Sequence, residues 1–204
     1  PGIFFARLQQ LARGAQARGH RVTLLCPETS PARALASEGF EWQNISLDSK
    51  ASNPFQQIWN LLSLFMALRR LRAGVVHAFG NRTSIYAALA GRWAGVPLVV
   101  SSMNTLATVA MSGEGKETPR AKFRRLAVTS VFNWAFTAKN LRFIFQSRDD
   151  QEFSIRQGWA TPESTEVMPA LTVDTRSFVP PKEEPALPVR ILFPANYLKH
   201  YGLC

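Results

Sequence analysis

At 204 residues the chain is long enough to bury one good core plus an appendage, and a hydrophobic share of 46% excludes a disordered polypeptide. Lys and Arg number 24 against 14 Asp and Glu, a formal net charge of +10 that points to an anionic partner: nucleic acid, an acidic membrane surface or a phosphorylated substrate. Two cysteines, Cys26 and Cys204, make no disulfide framework and suit a reducing compartment; no secretory signal is visible, and no stretch has the uncharged apolar length that spans a bilayer.

In chain order, Phe4 to Arg18 carries a helical pattern, with Phe4, Leu8, Leu11, Ala12 and Ala15 on one side, and Gly19 ends it. Val22 to Cys26 reads as a buried strand, Ser30-Pro31 opens a short helix to about Glu38, and Gly39 to Ile45 reads as a second strand. A doubly wound domain ordinarily begins with a strand, so this order predicts a first strand ahead of Pro1. Pro54 to Arg72 predicts a strongly apolar helix. Its Ile58, Leu61, Leu62, Phe65, Leu68 and Leu71 form a core-packing face, and Arg69, Arg70 and Arg72 complement its C-terminal dipole. Docking on a membrane is the alternative use of so apolar a helix.

Val75 to Asn104 reads as one complete strand, loop, helix and strand. Gly74 to Phe79 is a short apolar run, and Gly80-Asn81-Arg82-Thr83-Ser84 breaks it with turn and cap residues. The following helix carries Ile85, Ala88, Leu89 and Trp93 as an apolar stripe, with Asn81 or Thr83 as its cap, a contact typically worth about 1 kcal/mol. Gly95 stops it, and Leu98-Val99-Val100 is apolar enough to predict a parallel strand covered on both faces. In such sheets ligands sit beyond the carboxyl ends of the strands, where helix N-termini offer N–H groups to anions. That rule makes His77, Gly80, Asn81, Arg82, Ser101, Ser102 and Asn104 the candidate binding edge.

Gly113 to Pro119 is polar and reads as a mobile loop. Arg120, Lys122, Arg124 and Arg125 then lead a helix that continues through Phe132, Trp134 and Phe136. Cations beside large aromatic residues suit an interfacial helix on anionic headgroups, and equally a solvated basic face over a core stripe. Leu141 to Gln146 is a further strand, Asp149-Asp150 marks the start of a helix rather than a catalytic pair, and Glu166 to Pro169 is a last short strand. The predicted organisation is a domain over 1–179, a Pro-rich linker over 180–188 and the first strand of another domain over 189–204.

His20, His77 and His200 show no metal-ligand spacing, so no metal is expected; G-x-S-x-G, P-loop and G-x-G-x-x-G phrases are all absent. The aromatic residues lie inside strand and helix patterns instead of alternating with cations on one platform, which argues against nucleic acid as the partner.

Several phrases, in order, resemble the N-terminal half of family-four glycosyltransferases of the GT-B type, especially those building bacterial surface polysaccharides. Ala17-Arg18-Gly19-His20-Arg21-Val22 is similar to the family's "RGH-x-V", Val75-Val76-His77-Ala78-Phe79-Gly80 to its "H-x-H" strand end, and Ala94-Gly95-Val96-Pro97 to "x-G-[IV]-P". Phe143 to Asp150 resembles the "IFQN-x-D" stretch, and Val173-Asp174 with Phe178 resembles "GVD-x-x-x-F".

The resemblance implies an α/β fold with a Rossmann-like doubly wound parallel sheet, its first strand missing and its second domain truncated. It implies an acceptor-binding role for His77, Gly80, Asn81, Arg82, Ser102, Asn104 and Arg148, with Arg82 or Arg148 available to acceptor phosphates. The substrates implied are a nucleoside-diphosphate sugar as donor and a lipid-linked saccharide as acceptor, with no further cofactor. The enzyme would work in the cytoplasm, peripheral at the inner face of the membrane. On the donor side the corresponding stretch is Ala195 to Gly202, containing Asn196 and Lys199; Asn196 and Tyr201 stand where the family has an Arg and a Lys for the diphosphate. Neutral side chains cannot neutralise a diphosphate as a guanidinium and ammonium pair would. The expectation is therefore a glycosyltransferase fragment that transfers no sugar alone, with catalytic residues unassigned. The competing expectation is a non-catalytic lipid- or partner-binding subunit.

Overall fold

Each strand that the computed structural model describes pairs in parallel. The described residues are 2–28, 39–45, 53–103, 130, 133–168 and 179. The chain divides into two units, Pro1–Ala170 and Leu171–Cys204. The first runs α1 (Gly2–Gln16), β1 (Thr23–Cys26), β2 (Glu41–Asn44), α2 (Pro54–Leu71), β3 (Val75–Phe79), α3 (Asn81–Ala94), β4 (Leu98–Met103), β5 (Leu141–Phe145), α4 (Arg148–Arg156) and β6 (Thr165–Val167). Only Val179 is described in the second. The expected short helix to Glu38, the loop 113–119, the basic segment Arg120 to Arg125, the linker 180–188 and the strand beginning at Val189 lie outside the described residues.

Two ladders form, β1-β2 and β3-β4-β5-β6. They share a core, because Leu25 and Ile45 pack with Leu64, Ala67 and Leu68 of α2 and with Ala78 of β3.

The four-stranded sheet has two unlike faces. Register pairs Val76 with Val99 and Ala78 with Ser101, then Val99 with Leu141, Ser101 with Phe143 and Met103 with Phe145. All of these except Val76 are buried, whereas Val75, His77, Phe79, Leu98, Val100, Ser102, Arg142 and Ile144 on the other face are half-buried or exposed. The expectation of a sheet covered on both faces is thus corrected: β4 alternates strictly, burying Val99, Ser101 and Met103 only. The covered face carries the aromatic core, in which Phe136 meets the edge of Phe143 at 5.3 Å between centroids and Trp159 caps Phe153 at 5.7 Å.

Helix α3 lies so close to that face that a Cβ on Gly91 would fall 2.6 Å from a Val99 methyl. Only small side chains fit such an approach, and the buried positions are Ser84, Ala87, Ala88, Leu89, Ala90 and Gly91. The expected stripe is corrected accordingly: Ala88 and Leu89 are buried, but Trp93 is 46% exposed and stands beside Trp134 at 6.2 Å. The cap is corrected too. Gly80, at φ 93°, is the N-cap residue and supplies no side-chain hydrogen bond, so neither Asn81 nor Thr83 caps the helix. The Gly80 N–H instead donates to the Ser102 carbonyl at 2.9 Å, and the helix begins one residue earlier than a cap at Asn81 would set it.

Helix α2 begins with Asn53 accepting from the Phe55 N–H at 3.0 Å and Pro54 in the first turn, where its missing donor costs nothing. Leu64, Ala67 and Leu68 are buried, and Leu61 and Phe65 pack against them. Ile58 and Leu62, expected on the same face, are exposed. The helix is apolar nearly all round, and the core, with α3 as its main neighbour, covers only one side of it. At α4 the capping reading holds: Ser147 accepts from the Asp150 N–H at 3.2 Å and donates to its carboxylate at 3.0 Å, with Asp149 and Asp150 in the first turn.

Candidate functional site

Parallel pairing brings the carboxyl ends of β3, β4 and β5 to one edge. His77 and Ser102 meet there: the imidazole Nε2 and the serine Oγ are 2.7 Å apart, a short hydrogen bond between two half-buried side chains. Both lie on the less covered face, and strand periodicity puts Phe79 beside His77, where the rings stack at 4.1 Å. Burial lowers the His77 pKa from 6.5 to about 4. At neutral pH the ring is therefore uncharged, able to pass or accept a proton through Ser102 but not to serve as a fixed cation.

Positive charge at this edge comes from arginines. Arg82 is exposed in the first turn of α3, and Arg148 is exposed at the first position of α4, just past β5. The positive φ of Gly80 turns the chain sharply out of β3, so that the N-terminal end of α3, with its favourable field for anions, faces the same edge. Asn81 is half-buried at the start of that helix. Geometry thus gathers His77, Gly80, Asn81, Arg82, Ser102 and Arg148 at one edge of the sheet. Ser101 does not belong with them. It turns into the core, fully buried, and its hydroxyl has no hydrogen-bond partner among the described residues.

Asn104, Asn196 and Lys199 lie outside the described residues. The contact between His77 and Ser102 was not read from the sequence, although both residues were; positions 77 and 102 share a face only once the offset between β3 and β4 is known. Phe79 could have been found from its spacing of two from His77. Among the described residues no group of three or more His, Cys, Asp or Glu side chains comes together that could hold a metal ion, and no described helix is long and apolar enough to cross a membrane.

The parallel ladders and their helices define a Rossmann-like α/β domain whose carboxyl edge, the candidate site, has mixed hydroxyl, imidazole and guanidinium character. A family model described as a glycosyl transferase 4-like domain matches residues 6–170, and the chain belongs to that family. It is 25% identical over 174 residues to the UDP-Gal:alpha-D-GlcNAc-diphosphoundecaprenol alpha-1,3-galactosyltransferase of Escherichia coli, an alignment covering 84% of this chain and 42% of that enzyme. The chain therefore spans less than half the length of that curated relative. Among solved structures, the MurG of Acinetobacter baumannii is similar at a TM-score of 0.43 and 17% identity, over 87% of this chain and 65% of that one.

Proposed function

We propose that this chain is the acceptor-binding part of a glycosyltransferase that moves a hexose from a nucleotide sugar to a lipid-linked saccharide in cell-surface glycan synthesis. The family match over residues 6–170 carries the reading, and the similar galactosyltransferase, named for a diphosphoundecaprenol-linked acceptor, supports its substrate classes. Arg82 and Arg148, with the N-terminus of α3, attract the acceptor's phosphates, while the neutral His77 and Ser102 orient a sugar hydroxyl. Catalysis by such an enzyme is mostly positioning plus stabilisation of the leaving diphosphate. The leaving-group charge falls to the donor side, where Asn196 and Lys199 stand in this chain. With Asn196 and Tyr201 in place of a cationic pair, the chain alone transfers no sugar. The enzyme works at the inner face of the membrane, where Arg120, Lys122, Arg124 and Arg125 meet anionic headgroups.

The test is calorimetric titration of the purified chain with a short-chain polyprenyl diphosphate-linked saccharide, alongside a transfer assay with a panel of radiolabelled UDP-hexoses. Binding that weakens about tenfold in Arg82→Ala, as expected for loss of one charge-assisted phosphate contact, supports the acceptor assignment. No binding overturns it. Sugar transfer by the chain alone overturns the inactivity, and transfer that appears only on adding a second polypeptide moves the reading to a non-catalytic subunit.

A further inference from the structure

Helix α2 shows solvent a second apolar face that the core does not use. Phe55 is 79% exposed, and Ile58, Trp59, Leu62 and Met66 between 41% and 59%. At about 100° per residue, these five positions and the exposed Arg69 and Arg70 fall within an arc of about 120°, opposite the buried Asn60, Leu64, Ala67 and Leu68. An isolated exposed leucine is ordinary; a continuous stripe of five large apolar side chains along one helix is the kind of patch that marks an interaction site.

Charge identifies what it meets. Between Asp48 and Glu114 the sequence has no acidic residue, while Lys50, Arg69, Arg70, Arg72, Arg82 and Arg92 are all cationic. Two of those arginines end the stripe, and Arg69 also lines, with Arg72, an open cavity of about 380 Å³ at the C-terminal end of α2. An apolar stripe that continues into guanidinium groups, with no carboxylate on the helix, matches the layering of an anionic bilayer, where acyl chains lie beneath phosphates. A protein partner would call for carboxylates around this face to answer its arginines, and the helix carries none; its polar neighbours of the stripe are the neutral Gln56 and Ser63. We infer that the exposed face of α2 docks this domain on an anionic membrane surface, with Phe55, Ile58, Trp59, Leu62 and Met66 entering the headgroup and acyl boundary and Arg69 and Arg70 holding lipid phosphates. The inference rests on the membrane-surface part of the proposed function and is independent of sugar transfer.

The experiment is co-sedimentation of the full chain with vesicles of phosphatidylglycerol and phosphatidylcholine, or of phosphatidylcholine alone, without donor or acceptor. Wild-type protein is expected to bind the anionic vesicles. Binding should fall about tenfold or more in Leu62→Ser with Met66→Ser, and several-fold, with a flatter salt dependence, in Arg69→Gln with Arg70→Gln. Because these side chains are exposed, circular dichroism and the unfolding midpoint should not change; if the apolar pair nevertheless unfolds, the arginine pair decides. Wild-type binding retained in the folded variants overturns the inference. So does binding that survives in them but is abolished when Arg120, Lys122, Arg124 and Arg125 are changed to Glu. A chain that ignores vesicles yet forms a dimer dissociated by the Leu62 and Met66 changes also overturns it, and assigns the face to a second copy. Because the vesicles contain no acceptor, failure of the transferase reading would leave this result untouched.

Discussion

The two faces of the four-stranded sheet are made by the same strands and do opposite work. On the covered face, Val99, Met103, Leu141, Phe143 and Phe145 pack against helices with almost no solvent exposure. On the other, His77, Phe79, Ser102 and Ile144 remain half-buried, and the polar pair among them lies towards the carboxyl halves of β3 and β4. One face holds the fold, and the other carries the candidate site. The period of two in a strand is what keeps these demands from colliding, since neighbouring residues never share a face.

The sharpest way to break this division is to cut into the covered face. Phe145→Ala, at a fully buried position stacked 5.8 Å from Phe143, should cost about 3–5 kcal/mol, read by urea unfolding. A comparable loss at the exposed Val75 would mean that the faces are not as unlike as the burial pattern shows.

The less covered face should reveal itself through pH. His77 has a folded pKa of about 4 against an ordinary 6.5, so between those values the unfolded chain binds the extra proton and the folded chain resists it. Its contribution is fully present above pH 6.5 and is lost as pH falls towards 4, up to about 3 kcal/mol. Unfolding midpoints measured from pH 7 to 4 should show this decline, and His77→Gln should flatten it. An unflattened decline would place the titrating group elsewhere.

The close approach of α3 to β4 sharpens the comparison further. Gly91→Ala forces a methyl against Val99 and should destabilise by about 1–3 kcal/mol, and Val99→Ala in the same chain should recover part of that by opening the space. Additive losses would show that the contact is not the cause. The smallest effect belongs to the edge itself: Ser147→Ala removes the side-chain cap of α4 and should cost about 1 kcal/mol in thermal unfolding. A negligible change would mean that the Asp149 and Asp150 carboxylates alone sustain that turn.

Much of the fold was legible in the linear pattern because the deciding signals are local. Apolar runs at Val75 to Phe79 and Leu141 to Phe145 announced strands, Gly95 ended α3 in a left-handed turn, and Ser147 with two carboxylates announced α4. At the candidate site, the residue types at the strand ends were legible, including His77, Arg82, Ser102 and Arg148. The hydrogen bond between His77 and Ser102 was not, because it depends on how two strands 25 residues apart in sequence are offset.

What the sequence alone determined, then, was element type, element order and the chemistry available at the carboxyl edge, all of which follow from short-range propensity and spacing. Tertiary structure decided which side of each element is used. Helix α2 is apolar over most of its circumference, and periodicity cannot tell which half the core will cover; only packing buries Leu64 and Leu68 and leaves Trp59 and Met66 in water. Helix α3 shows the converse, for its closeness to Val99 selects alanine, glycine and serine for burial and turns Trp93 outward. The physical reason is common to both: a residue's own preferences act over one or two turns, whereas the distance and angle at which a helix meets a sheet are set by every side chain between them.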